Sequence, residues 1–194
     1  MNPRQKLHKA VFLDRDGTAI RQVELLHKTR DIRLLPGAGR AVRELNRLHY
    51  RIVLVTNQPV VARGIATEEM MDGVHTELRK RLLKQGAVLD AIYACPHHPN
   101  ANVLKYRVSC DCRKPEIGML TKAAKELHLD LSKSVMIGDS TRDTLAGNRA
   151  GLLTILVKTG HGGKDPWQFE GKPDVVVKNL LEAVRYIRTH GYRH

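Results

Sequence analysis

Aromatic residues are scarce in this chain: one Trp, two Phe and five Tyr make up 4% of 194 residues. Proteins that bind nucleic acid by base stacking interleave aromatics with basic residues, and this composition offers little for that. Long hydrophobic runs are missing too. No segment approaches the ~18 consecutive apolar residues that a membrane-spanning helix needs. Hydrophobic residues still make up 42% of the chain, enough for a core, which excludes disorder as the default. Cysteine is limited to Cys95, Cys110 and Cys112, an odd and closely spaced set that suggests metal rather than disulfides. Acidic residues are few, 20 Asp+Glu against 33 Lys+Arg, for a net charge of +13. Such a field attracts phosphorylated metabolites and polyanions alike. Because the basic residues are dispersed rather than clustered, the expected partner is a phosphorylated small molecule, with no nucleic acid and no membrane. Met1–Lys6 leads straight into an apolar strand without an apolar signal region, so the expectation is a cytoplasmic protein. The length suits one domain over residues 1–194, expected to act as a monomer.

The most informative segment is Asp14-Arg15-Asp16-Gly17-Thr18, directly after the apolar run Ala10-Val11-Phe12-Leu13. A buried strand that stops at two carboxylates puts both acids at the strand's carboxyl end, where open α/β sheets bind their ligands. Residues i and i+2 of a strand face the same way, so Asp14 and Asp16 can converge, and Gly17 permits a sharp turn behind them. Two carboxylates that close repel unless a cation or a shared proton relieves them. Mg²⁺ suits the position, since it takes one or two carboxylates together with phosphate oxygens and water.

Strand and helix patterns alternate along the rest of the chain, which predicts a parallel sheet covered on both faces. Strands are expected at Ala10–Leu13, Arg51–Val55, Ala91–Ala94, Ser134–Ile137, Leu153–Val157 and Asp174–Val177. Helices are expected after Pro36-Gly37, from an N-cap at Thr67 to about Gly86, and over Glu116–His128, Thr141–Ala150 and Leu180–His190. A polar stretch from Ala19 to Leu35 lies between the acidic turn and the first helix. On a parallel sheet the strand-end groups Asp14/Asp16, Thr56/Asn57 and Asp139/Asp143 share one edge, and Arg113-Lys114-Pro115 adds two cations. Taken singly, Thr56, Lys114 and Asp143 read as a strand end, a surface lysine and a first-turn helix acid. Together they suit phosphoryl transfer, in which catalysis is mostly positioning and charge neutralisation.

The four segments Asp14-Arg15-Asp16-Gly17-Thr18, Val55-Thr56-Asn57-Gln58, Arg113-Lys114-Pro115 and Ile137-Gly138-Asp139-Ser140-Thr141-Arg142-Asp143 resemble the motifs of haloacid dehalogenase-like phosphatases. The stretch Cys95-Pro96-His97-His98 … Cys110-Asp111-Cys112 resembles the branch of heptose 1,7-bisphosphate 7-phosphatases and histidinol-phosphate phosphatases. The resemblance implies a Rossmann-like α/β fold: a parallel sheet sandwiched by helices, with a minimal cap and a zinc-binding loop at about residues 95–112. It implies Asp14 as nucleophile and Asp16 as general acid and base. Asp14, the backbone carbonyl of Asp16 and Asp139 would hold Mg²⁺, and Thr56 and Lys114 the transferring phosphate. Asn57 and Arg113 would contact substrate, while Asp143 would orient Lys114 or a metal-bound water.

Cys95, His97, Cys110 and Cys112 offer three thiolates and one imidazole, a closed set of the kind that holds structural Zn²⁺. By the family pattern His97 binds and His98 does not. The implied reaction removes the 7-phosphate of D-glycero-D-manno-heptose 1,7-bisphosphate, in heptose biosynthesis. Histidinol phosphate is the alternative substrate, with Glu24 as the acid facing its amine; a DNA 3′-phosphatase or nucleic-acid-binding protein is the remaining one. Pro59-Val60, Ser140 and Ala19-Ile20 depart from the family's usual residues, and Pro59 lacks an amide donor in a loop expected to face substrate.

Overall fold

The computed structural model describes residues 7–192; Met1–Lys6 lies outside the described residues. The apolar runs form six strands: β1 (Ala10–Leu13), β2 (Arg51–Asn57), β3 (Ala91–Cys95), β4 (Val135–Gly138), β5 (Leu153–Val157) and β6 (Val175–Val177). They make one sheet in the order β3-β2-β1-β4-β5-β6, parallel at every pair. The parallel, Rossmann-like sheet is as expected from the sequence; the order itself reverses direction at β1, and a ligand crevice opens at such a switch point. Register then brings the motifs together. Leu13 pairs with Leu54 on one side and Ile137 on the other, so the residues that follow each of them emerge side by side.

Six helices complete the two layers: α1 (Ala38–Arg47), α2 (Pro59–Ala62), α3 (Glu68–Leu83), α4 (Gly118–Glu126), α5 (Thr141–Arg149) and α6 (Leu180–His190). Strand side chains alternate between two cores. Val11, Leu13, Ile52, Leu54, Val135 and Ile137 face α1, α3 and α6, while Phe12, Val53, Val55 and Met136 face α4 and α5. Both faces are covered, which explains why the strands read as continuous apolar runs rather than alternating ones.

Several boundaries differ from the sequence reading, each for a local reason. Thr67 caps α3 as expected, its Oγ1 accepting from the Met70 amide at 3.2 Å. The helix ends at Leu83 rather than Gly86 because the chain unwinds into a turn there, with Gly86 at φ 70°. α4 begins two residues late, at Gly118, whose amide donates to the Asp111 carbonyl at 2.8 Å. Pro59 opens the unexpected turn α2, at a position where a missing amide donor costs nothing. The stretch read as polar loop is anchored by Ile20, Leu26 and Ile32, all buried, and by backbone pairing of Arg21 with Arg33 and Leu35 with Ala19.

Gly147 of α5 lies against the sheet, where an added Cβ would stand 2.5 Å from Thr154 Cγ2 and 2.9 Å from Met136 Cβ. Gly147→Ala is expected to destabilise by about 1–3 kcal/mol through overpacking. Thermal denaturation checks this: a fall of roughly 2–10 °C in Tm is expected at this size.

Candidate active site and metal centre

At the carboxyl edge of the sheet, Asp14 leaves β1 and Lys114 arrives from the loop before α4. Lys114 Nζ lies 2.6 Å from Asp14 Oδ1, 2.6 Å from Asp143 Oδ1 and 2.8 Å from the Val55 carbonyl. The lysine is 3% exposed, so its ammonium has exchanged water for these three acceptors. Its backbone is fixed by Asn57, whose Nδ2 donates to the Lys114 carbonyl at 2.9 Å and whose Oδ1 accepts from the Lys114 amide at 3.0 Å. The Asn57 amide therefore serves the lysine, although Asn57 also lines the adjoining cavity. Ser140, one of the departures from the family pattern, donates from Oγ at 2.7 Å and from its amide at 3.2 Å to Asp143 Oδ2. Those bonds aim the other oxygen of Asp143 at Lys114.

Asp139, the first residue beyond β4, completes the group: carboxylate oxygens of Asp14, Asp139 and Asp143 all lie within 4.8 Å of one another. Burial raises the Asp14 carboxyl to about 7 despite Lys114, with Asp143 and Asp16 adding repulsion. Burial, followed by repulsion from Asp14 and Asp143, raises Asp139 to about 8. Burial also opposes ionisation of Asp143, but Lys114 overcomes this and holds it below the usual range. Lys114 shows the converse: burial opposes its charge, and Asp14 and Asp143 outweigh it. Three buried carboxylates against one ammonium leave two negative charges uncompensated when all are ionised, the deficit that a divalent cation fills. The backbone leaves room beside Asp139: a Cβ on Gly17 or Gly160 would stand 2.2 or 2.0 Å from its Oδ2. The donor set and the close backbone approach fit Mg²⁺.

Asp16 stands apart from this cluster. Its Oδ2 accepts from Arg15 Nε at 3.0 Å and from Gln58 Nε2 at 3.4 Å. Thr56, at the end of β2 and 1% exposed, accepts from Gln58 Nε2 at 2.7 Å, which leaves its own hydroxyl proton to be donated elsewhere. Arg15 carried no role in the sequence reading, yet it is fully buried, within reach of Gln58 and of His75 on α3. Burial, then Arg15 and Arg79, lower the His75 pKa to about 4. No period-2 or motif signal distinguished Arg15, since its partner on α3 lies 60 residues away.

A cavity of about 400 Å³ opens above the acids. Val23, Glu24 and Leu25 line it, and so do His98 and the cations Arg63, Arg113 and Arg142. Arg142 stacks on Trp167 with Cζ 3.8 Å from the ring centroid. His161 and Trp167 were not foreseen; the glycine cluster at residues 160, 162 and 163, just past β5 on the same edge, was the available signal. The segment is held to α5 by Asp165, which accepts from the Thr141 amide and hydroxyl, both at 2.6 Å.

Beside the cavity, Sγ of Cys95, Cys110 and Cys112 and Nδ1 of His97 all lie within 4.8 Å of one another. Cys112 Sγ is 2.9 Å from Cys95 Sγ, 3.2 Å from Cys110 Sγ and 3.3 Å from His97 Nδ1. Burial raises the Cys112 thiol to about 11 and raises Cys95 further. Three thiols converging on one imidazole form a donor set that fits a thiophilic cation such as Zn²⁺, which binds such groups as thiolates. His98 is outside the cluster; it faces the cavity and accepts from the Asn100 amide at 3.0 Å. The His97 carbonyl accepts from Arg113 Nη1 at 3.0 Å, tying the cysteine loop to the rim of the cavity.

Comparison with known proteins gives consistent findings. A family model described as HAD-hydrolase-like matches residues 111–183. A D-glycero-beta-D-manno-heptose-1,7-bisphosphate 7-phosphatase of Photorhabdus laumondii is 45% identical over 180 residues, covering 92% of this chain and 95% of that protein. The protein of the same name from Haemophilus ducreyi is 41% identical over 182 residues, covering 92% and 98%. The crystal structure of D,D-heptose 1,7-bisphosphate phosphatase from B. bronchiseptica, in complex with magnesium and phosphate, superposes with a TM-score of 0.82 at 31% identity, covering 93% of this chain and 98% of that one. Identity at this level along nine-tenths of both chains, on a shared fold, means that this chain belongs to the heptose-bisphosphate phosphatase family of haloacid dehalogenase-like hydrolases.

Proposed function

We propose that this protein is a phosphatase that removes the 7-phosphate of D-glycero-D-manno-heptose 1,7-bisphosphate through an aspartyl-phosphate on Asp14. The observation that carries the reading is Asp14 itself, held by Lys114 at the foot of a cavity rimmed with cations. Asp14, Asp139 and the Asp16 carbonyl would hold Mg²⁺, which supplies positive charge to the phosphoryl oxygens. The Asp14 carboxylate attacks phosphorus while Lys114 Nζ and the Thr56 hydroxyl bind the transferring oxygens. Asp16 protonates the departing sugar oxygen, then takes a proton from the water that releases phosphate from Asp14.

Substrate choice follows the rim. Glu24 lines the cavity and offers a place for the amine of histidinol phosphate. Arg63, Arg113 and Arg142 line it too, and their combined charge favours a second phosphate over a cationic amine. The names of the relatives support the same substrate. Zn²⁺ in the cysteine cluster would fix the loop whose His97 carbonyl holds Arg113.

Three outcomes are expected. Phosphate-release assays with Mg²⁺ should show kcat/KM at least ~100-fold higher for one anomer of the heptose bisphosphate than for histidinol phosphate, about 2.7 kcal/mol of discrimination; a histidinol-led profile overturns the substrate reading. Asp14→Asn should abolish turnover in the same assay with Tm retained. Cys110→Ser should lower Tm and lose stoichiometric zinc by elemental analysis, with KM rising more than kcat falls; retained zinc and stability count against the four-ligand site.

A further outcome concerns pH. Folding raises Asp14 and Asp139 from 3.8 to about 7 and about 8. The native state then binds more protons than the unfolded chain, and stability is lost as pH rises through that window. His75 acts in the opposite sense only below its ordinary 6.5. In chelator, Tm is expected to fall between pH 6.5 and 8.5, and added Mg²⁺ should restore more at pH 8.5, where fewer protons must be displaced. Differential scanning calorimetry at the two pH values measures this.

A further inference from the structure

Arg15 stands between the two acids just past the end of β1. It is 1% exposed. A buried guanidinium persists only when its charge and its donors are satisfied. Among the described residues the carboxylate paired with it is Asp16, whose Oδ2 lies 3.0 Å from Nε and 2.9 Å from Nη2. The rest of the fork is also taken: Nη2 donates to Gln58 Oε1 at 2.9 Å, and Nη1 reaches His75 Nε2 at 3.5 Å. His75, kept neutral by burial, is able to accept. Gln58 closes the loop, its Nε2 donating to Thr56 Oγ1 at 2.7 Å and lying 3.4 Å from the same Asp16 Oδ2.

The result is asymmetric. Asp16 Oδ2 receives Arg15 and Gln58, while Asp16 Oδ1 is buried and has no partner among the described residues. An orphaned buried oxygen is costly, and this one belongs to a residue that lines the cavity beside Asp14. We propose that Arg15 and Gln58 are positioning residues that clamp Asp16 through Oδ2 and so make Oδ1 the oxygen that transfers the proton. This rests on the reading of Asp16 as general acid. In that step the Asp14 oxygen–phosphorus bond forms and the bond from phosphorus to the substrate oxygen breaks, its electron pair staying on that oxygen. The proton on Asp16 Oδ1 passes to it, leaving a neutral alcohol and an Asp16 carboxylate opposite Arg15. Rotation of Asp16 away from the clamp would strand the buried guanidinium, which keeps the carboxyl in place through both half-reactions.

Leaving-group dependence separates positioning from mere structural support. A phenolate such as p-nitrophenolate departs without help from an acid, whereas an alkoxide needs its proton, a contribution of ~10²–10⁴-fold. kcat/KM reports steps up to departure of the leaving group, so it isolates this half-reaction. Arg15→Met should lower kcat/KM for alkyl phosphate monoesters by about 10²-fold and for p-nitrophenyl phosphate by less than about 5-fold. Gln58→Leu, which leaves the guanidinium and Asp16 in place, should show the same split at about 10-fold, and it carries the test alone if circular dichroism shows Arg15→Met unfolded. Equal losses on both ester classes, or no loss in the Gln58 variant, overturn the clamp. Alkyl phosphates without the heptose keep the test independent of substrate identity. A wild-type enzyme that hydrolyses them but ignores the heptose bisphosphate contradicts only the proposed substrate, while one that hydrolyses no monoester overturns both.

Discussion

One buried ammonium organises the site. Lys114 enters the sheet edge from a loop and is met by Asp14 at the end of β1, Asp143 in the first turn of α5 and the Val55 carbonyl of β2. Each partner alone would be unfavourable in that position: the lysine would shed its proton, and the carboxylates would keep theirs. Together they hold one another ionised in part, with an excess of negative charge that a divalent cation would offset. The grip extends to the backbone, because Asn57 bonds both the amide and the carbonyl of Lys114. Two strands and a helix are thereby tied to a single residue.

The cysteine cluster acts on the same loop from the other side. Cys95 ends β3, and Cys110 and Cys112 immediately precede Arg113 and Lys114. Between residues 95 and 112 the described chain has one short helical turn, at Leu104–Tyr106, and little apolar burial of its own. A metal closing that loop would substitute for a core. Because the His97 carbonyl accepts from Arg113, the set of the loop is passed to a cation on the rim.

Much of this was legible in the residues. The strands and most helices follow from apolar runs and caps, since burial on both sheet faces writes itself as continuous hydrophobicity. The Asp14/Asp16 pair, Lys114, Asp139 and the four-ligand set were legible because each lies within a few residues of a recognisable strand end or cysteine. Other features were not. That the Asn57 amide also grips a backbone 57 residues away could not be read from its place at a strand end. Ile20, Leu26 and Ile32 sit in a stretch that reads as polar, and they anchor it in the core. Pro59 reads as a disturbed loop, and it starts a helical turn that tolerates it.

The sequence by itself determined the parallel α/β architecture and which segments bring acids, cysteines and a histidine to one sheet edge and one loop, because those depend on residue type, spacing and periodicity. Tertiary structure alone decided the pairing of charges: which oxygen of Asp143 faces Lys114, which oxygen of Asp16 is left free, and that Arg15 is buried against Gln58 and His75. The reason is range. A carboxylate's role is set by which charges and donors stand within a few ångströms of it, and here those neighbours come from segments 100 residues apart and more.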